Sequence, residues 1–164
     1  HGALFLMWKT DGAVQQRSQS WAARLFPVLT ALWVCTTVAA IVVAPDLWTA
    51  ARARPLVWAA AMIAVGALAL SAHFRRRARE AAAFASSCAF IAAVLAATAS
   101  ALFPALLRAP RGAGALTAFA ASASDASLRA GLWWWPAGAV LALLCFVMLL
   151  RMHWGKTRVD DNSY

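Results

Sequence analysis

Uncharged apolar runs alternate with short basic stretches along the chain. The last long run, Ala130 to Leu150, opens on Trp133, Trp134 and Trp135 and closes on Arg151, His153, Trp154 and Lys156. About twenty apolar residues at ~1.5 Å each cross the ~30 Å hydrocarbon layer of a bilayer. Tryptophan favours the headgroup level, and Lys and Arg accumulate on the cytoplasmic side. The pattern therefore predicts a spanning helix over 130–150, with Pro136 in its first turn. Three earlier runs predict spans over 25–44, 55–74 and 81–102. Pro27 falls near the start of the first, Pro55 opens the second, and Phe103-Pro104 closes the third. Residues 1–8 read as the end of a further, truncated span, and Asp11-Gly12 as the turn after it. With no charged leader or cleavage pattern there is no signal-peptide reading, so the chain is expected to be the C-terminal part of a longer one. The fold class is all-α: a multi-span transmembrane helix bundle in a single domain over 1–164, with a polar tail at 151–164.

Composition agrees with this pattern. Hydrophobic residues make up 63% and charged residues 13%, with a mean hydropathy of +0.68, beyond an ordinary globular domain. The net charge of +9 is carried by clusters between apolar runs, which favours a topogenic role over nucleic-acid binding. Lys9, Arg17, Arg24, Arg75, Arg76, Arg77, Arg79, Arg151, Lys156 and Arg158 fall on one side of the predicted spans. Arg52, Arg54, Arg108, Arg111 and Arg129 fall on the other. Ten against five places the C-terminus in the cytoplasm. The tryptophans agree: Trp48, Trp58 and Trp133 to Trp135 fall outside, and Trp8, Trp21 and Trp154 inside.

The spans are weak as lone insertions. The span over 55–74 has Leu56, Val57, Met62, Ile63, Val65, Leu68, Leu70 and Phe74, which at roughly 0.3–0.6 kcal/mol each favour insertion by about 2–5 kcal/mol. The span over 81–102 is mostly alanine, with Ser86, Ser87, Thr98 and Ser100. Small residues let helix backbones approach closely, and hydroxyls can bond across the contact. Such helices are expected to need neighbours.

No catalytic constellation emerges, and no catalytic, cofactor-binding or metal residue is assigned. Cys35, Cys88 and Cys145 lie in separate apolar runs without metal-site spacing and read as buried small hydrophobes. His73 and His153 end predicted spans on the cytoplasmic side and read as interfacial polar residues before haem ligands. Asp11, Asp46, Glu80 and Asp125 sit at span margins, and no complete span holds a carboxylate, which counts against a proton-coupled transporter core. Gly155-Lys156-Thr157 lacks the upstream glycine of a phosphate loop. Ser122 to Ser127 has no histidine base, and Asp125 reads as a cap of the last helix or of its lead-in turn.

Three patches resemble cytochrome bd ubiquinol oxidase subunit II. His1 to Gly12, with Lys9-Thr10-Asp11-Gly12 and then Arg17, is similar to its helix end and Lys/Arg-Thr-x-Gly turn. Ala101-Leu102-Phe103-Pro104 resembles its Phe-Pro after the penultimate helix. Ala115-Leu116-Thr117-Ala118-Phe119, then Ser122, Ser124 and Leu128, is similar to its loop before the last helix. The Trp-rich entry and the Gly155-Lys156 exit also fit. Ala120 departs from the family's usual Asp or Asn, and the loop from Pro45 to Arg54 is short.

The resemblance implies the second half of a subunit in a quinol:oxygen oxidoreductase of the aerobic respiratory chain, in the bacterial cytoplasmic (inner) membrane. Haem b, haem d and the main quinol site would belong to the partner, subunit I. This chain would support it, and in some members the subunit also holds a quinone. The proton-delivering acids would lie before residue 1. The rival reading is a fragment of a multi-span transporter or permease.

Overall fold

A computed structural model describes residues 1–107, 114, 116–152, 155 and 156. Among the described residues the regular structure is helical apart from one small hairpin, and the chain divides into two units, His1–Phe103 with Lys156–Tyr164, and Pro104–Gly155. Expectations for Arg108, Arg111, Ala115, His153, Trp154, Thr157, Arg158 and the rest of the tail lie outside the described residues.

The first unit holds α1 (Gly2–Lys9), α2 (Gly12–Val43), α3 (Pro45–Arg52), α4 (Pro55–Arg76) and α5 (Glu80–Leu102). The polar stretch after Lys9 is not a connection. Only Thr10 and Asp11 interrupt the helices, and α2 starts at Gly12, whose φ of 71° suits glycine best. Residues 13–24 are mostly good helix formers, and Ser18 and Ala22 among them are buried. Pro27 consequently lies inside α2, not near its start. Proline removes an N–H and strains the preceding turn. Membrane helices tolerate this where neighbours satisfy the freed groups. The carbonyl that Pro27 leaves without its helical donor is that of Ala23; Arg75 of α4 reaches the neighbouring one, its Nη1 donating to the Ala22 carbonyl at 2.8 Å.

Pro45 ends α2 by starting a new helix. Ala44 is pushed out of helical geometry, φ −130° and ψ 66°, as a residue before proline tends to be, and Pro45 opens the short α3. Pro55 opens α4 in the same way. The turn into α5 is a Schellman motif: Arg79 N–H donates to the Phe74 carbonyl at 2.9 Å and Ala78 N–H to that of Arg75 at 3.2 Å. Ala78 stands where glycine usually does, with φ at 54°.

The α4–α5 hairpin is the best-packed part of the unit. Ala60, Ala64, Ala67 and Ser71 are buried on α4, and Ala83, Ser86, Phe90 and Ala93 on α5. Their spacing of three and four makes one narrow stripe on each helix, and alanine lets the backbones close in. Ser71 Oγ donates across the contact to the Ala83 carbonyl at 3.4 Å, whereas the Ser86 and Thr98 hydroxyls bond back into their own helix. α1 packs through Phe84, whose ring lies 5.5 Å from Trp8, 5.5 Å from Phe5 and 4.7 Å from His1. Trp33 of α2 meets Phe90 edge-on at 5.5 Å.

The second unit holds β1 (Ala105–Leu107) and β2 (Leu116–Thr117), paired antiparallel, and α6 (Asp125–Met152). The hairpin was not expected in an all-α chain. Pro104 supplies no N–H, but its carbonyl accepts from Ala118 N–H at 2.7 Å and closes the pair. α6 begins earlier than expected, so Pro136 lies inside it and not in its first turn. Asp125 is not its cap. Ser124 takes that role, its Oγ accepting from Ser127 N–H at 3.4 Å, while Asp125 sits in the first turn beside the positive end of the helix dipole. No residue of α6 is buried.

Candidate functional site

The long-range charged contacts of the first unit gather at helix ends. At one end of the first unit Thr10 closes α1, its hydroxyl donating to the Leu6 carbonyl at 2.7 Å beside its own N–H at 2.9 Å. Asp11 then leaves the helix and Gly12 turns the chain back. The Asp11 carboxylate lies 3.2 Å from Lys156 Nζ, which also lies 2.9 Å from Glu80 at the start of α5. Gln15 Nε2 donates to the other Glu80 oxygen. One ammonium thus joins two helix turns and the segment after α6. The hydrogen bond to Glu80 raises the Lys156 pKa above its ordinary value; burial opposes it in part, and the hydrogen bond to Asp11 adds a smaller rise. Lys156, which has no phosphate-loop context in the sequence, is the cation of this ion cluster. Asp11, Glu80 and Lys156 lie too far apart in sequence for their spacing to have signalled it.

At the other end Arg54 reaches the last turn of α5. Its Nη1 donates to the Ser100 and Phe103 carbonyls, groups that a helix end leaves without partners. Trp58 Nε1 donates to the Arg52 carbonyl at 2.9 Å, and Trp48 meets Trp58 at 5.9 Å. Phe103-Pro104 is therefore where α5 stops under an arginine clamp. In the second unit Thr117 Oγ1 accepts from Ala120 N–H at 3.1 Å, and Ser122 Oγ donates to the Phe119 carbonyl at 2.8 Å. At Ala120, which lacks the family's polar side chain, the bond to Thr117 is made by the main-chain N–H.

The candidate cofactor residues do not come together. His73 is exposed, its ring 5.6 Å from that of Phe74. Among the described residues no three His, Cys, Asp or Glu side chains are grouped to hold a metal ion. Carboxylates occur in the four long helices only at the first turns of α5 and α6, as Glu80 and Asp125. The cysteines correct the sequence reading. Cys35, Cys88 and Cys145 are exposed on outer helix faces, where lipid or another subunit would cover them. Helix periodicity could not have placed them, because apolar residues surround each helix.

Among the described residues four helices, α2, α4, α5 and α6, are long and apolar enough to cross a membrane. Their surfaces carry large apolar side chains, such as Leu32, Met62, Leu95 and Leu144. Such a chain is a multi-pass membrane protein of all-α class.

The motif positions just described then acquire a common origin. The family pattern described as cytochrome bd terminal oxidase subunit II matches residues 1–153, and the chain belongs to that family. Compared with curated protein sequences, the chain matches none. The family is one of a multi-subunit oxidase, which implies a partner subunit.

Proposed function

We propose that this chain is a scaffold subunit of a cytochrome bd-type quinol:oxygen oxidoreductase in the aerobic respiratory chain. It supports a haem-bearing subunit I in the bacterial cytoplasmic membrane, with the Lys156 end in the cytoplasm. The observation that carries this reading is the family match over 1–153, joined to a spanning helix, α6, with no buried residue. Lipid alone can solvate such a helix, but a respiratory complex gives one face of it a partner.

Among the described residues none is placed to hold haem. The one described spanning-helix histidine, His73, is exposed with its ring against Phe74, and no facing ligand accompanies it. In this reading haem b, haem d and the quinol-oxidising site belong to subunit I. The contribution of this chain is mechanical. Arg54 and the Thr10–Gly12 turn fix the helix ends, and the α4–α5 hairpin provides a rigid pair against which other helices can pack.

The test is quinol-driven oxygen consumption by the purified complex, captured through a tag on this subunit. Oxygen uptake that depends on added quinol supports the proposal. A complex that takes up no oxygen but moves a solute in vesicles would replace it with the transporter reading.

A further inference from the structure

The first unit encloses a cavity of about 380 Å³ between α1, α2, α4 and α5, within the ordinary range for small-ligand sites. Leu25, Leu29 and Leu32 of α2 and Phe90 of α5 make much of its apolar wall. The three leucines are themselves exposed, so the cavity opens towards the surrounding hydrocarbon. Its polar side chains are His1, Ser71, Ser87 and Arg75.

Three of these are already engaged. Ser71 Oγ donates to the Ala83 carbonyl, and Ser87 Oγ donates to that of Phe84 at 2.7 Å and lies 2.8 Å from His1 Nδ1. Arg75 differs. Its Nη1 is used by the Ala22 carbonyl and its guanidinium lies 4.9 Å from the centre of the Phe26 ring, but its Nε is buried without an acceptor. An N–H removed from water is costly unless something replaces the lost acceptor. No lining residue is acidic. Asp11 and Glu80 are held by Lys156, and among the described residues Arg75, Arg76, Arg77 and Arg79 form no ion pair.

We propose that this cavity seats one acyl chain of an anionic phospholipid, with its phosphate accepting hydrogen bonds from Arg75. Both halves of the site are needed for this choice. A free phosphate would match the guanidinium and leave the apolar wall without a partner. A neutral quinone would fill the wall and leave the charge uncompensated. An amphiphile with a negative head satisfies both, and basic residues at a membrane face draw such lipids by charge. Three further arginines after Arg75 strengthen that field. The inference needs the chain to lie in a membrane and does not depend on the oxidase reading.

Native mass spectrometry tests it on the complete protein, co-expressed with its partner and purified in non-ionic detergent. Phosphatidylglycerol or phosphatidylcholine is added at matched concentration. The expected result is one retained phosphatidylglycerol with at least a tenfold preference over phosphatidylcholine. R75Q should weaken retention at least tenfold, and R75K should restore it in part, having charge without the guanidinium fork. Leu29→Trp, which fills the cavity and leaves Arg75 intact, should also expel the lipid. The headgroup comparison on the unmodified protein stands whether or not R75Q assembles. Equal retention of both lipids overturns the proposal, as does lipid binding that L29W leaves unchanged. So does a quinone recovered in place of the phospholipid, or displacement of the lipid by inorganic phosphate.

Discussion

The α4–α5 hairpin and α6 are both membrane-length, apolar and almost free of internal charge, yet they are built for different neighbours. The hairpin is narrow where it packs: Ala64 and Ala83 are 1% and 0% exposed, and alanines or serines fill most of the contact. α6 is broad, with Leu, Phe, Met and Val around its circumference and Trp133 84% exposed. Between helices in lipid there is no hydrophobic gain from hiding a leucine, because the tails are as apolar as the side chain. Association comes from close backbone approach and from hydrogen bonds. The hairpin has both, through its alanine stripe and the Ser71–Ala83 bond. α6 has no buried residue, and its broad apolar surface is finished by whatever surrounds it.

The largest expected effect breaks the hairpin. Ala83→Leu forces a branched side chain into a fully closed contact and should cost about 1–3 kcal/mol or more. The same change at Ala142 on α6 should alter stability by less than about 0.5 kcal/mol. Thermal unfolding of the two variants in the same detergent checks the contrast, and equal losses would erase it. Next comes Arg54→Met, which strips the α5 end of its charged donor and should cost about 1.5–3 kcal/mol, read in the same way.

Two backbone changes sharpen the picture at the turns. Gly12→Ala has open space for its methyl group, so the left-handed φ alone should cost about 1 kcal/mol. Ala78→Gly reverses that strain in the α4–α5 turn and should raise the unfolding temperature. The smallest effect is Lys156→Met, worth up to about 1 kcal/mol for so exposed a cluster. Its pH dependence has a definite sign. The folded pKa of Lys156 is raised, so its stabilisation is complete below the unfolded value of about 10.4. It is lost as pH rises through the higher folded value. The difference in unfolding temperature between wild type and K156M should therefore be flat near neutrality and close in alkaline solution.

Much of this architecture was legible in the sequence because length and hydropathy decide whether a helix can span. Helix ends were less so. Hydropathy changes at Arg24 and Ala130, whereas helix geometry changes at Gly12 and Asp125, since Gln, Arg and Ala on the polar side are also good helix formers. That error moved Pro27 and Pro136 from helix entries into helix interiors. The β1–β2 pair was hidden because two very short strands leave no alternating pattern to read. The Asp11–Glu80–Lys156 cluster and the reach of Arg75 to Ala22 are products of tertiary folding. The family motifs were legible as patterns, but their reasons became visible only with Thr10 closing α1 and Arg54 closing α5.

The central claim is that this chain is a colourless scaffold for a haem-bearing partner. The most direct measurement is a reduced-minus-oxidised absorbance spectrum of the gently solubilised complex, captured through a tag on this subunit, alongside the spectrum of this subunit purified without its partner. Stoichiometric b- and d-type haem bands in the complex and none in the separate subunit are predicted. A well-folded complex that contains the partner and shows no haem would contradict the account.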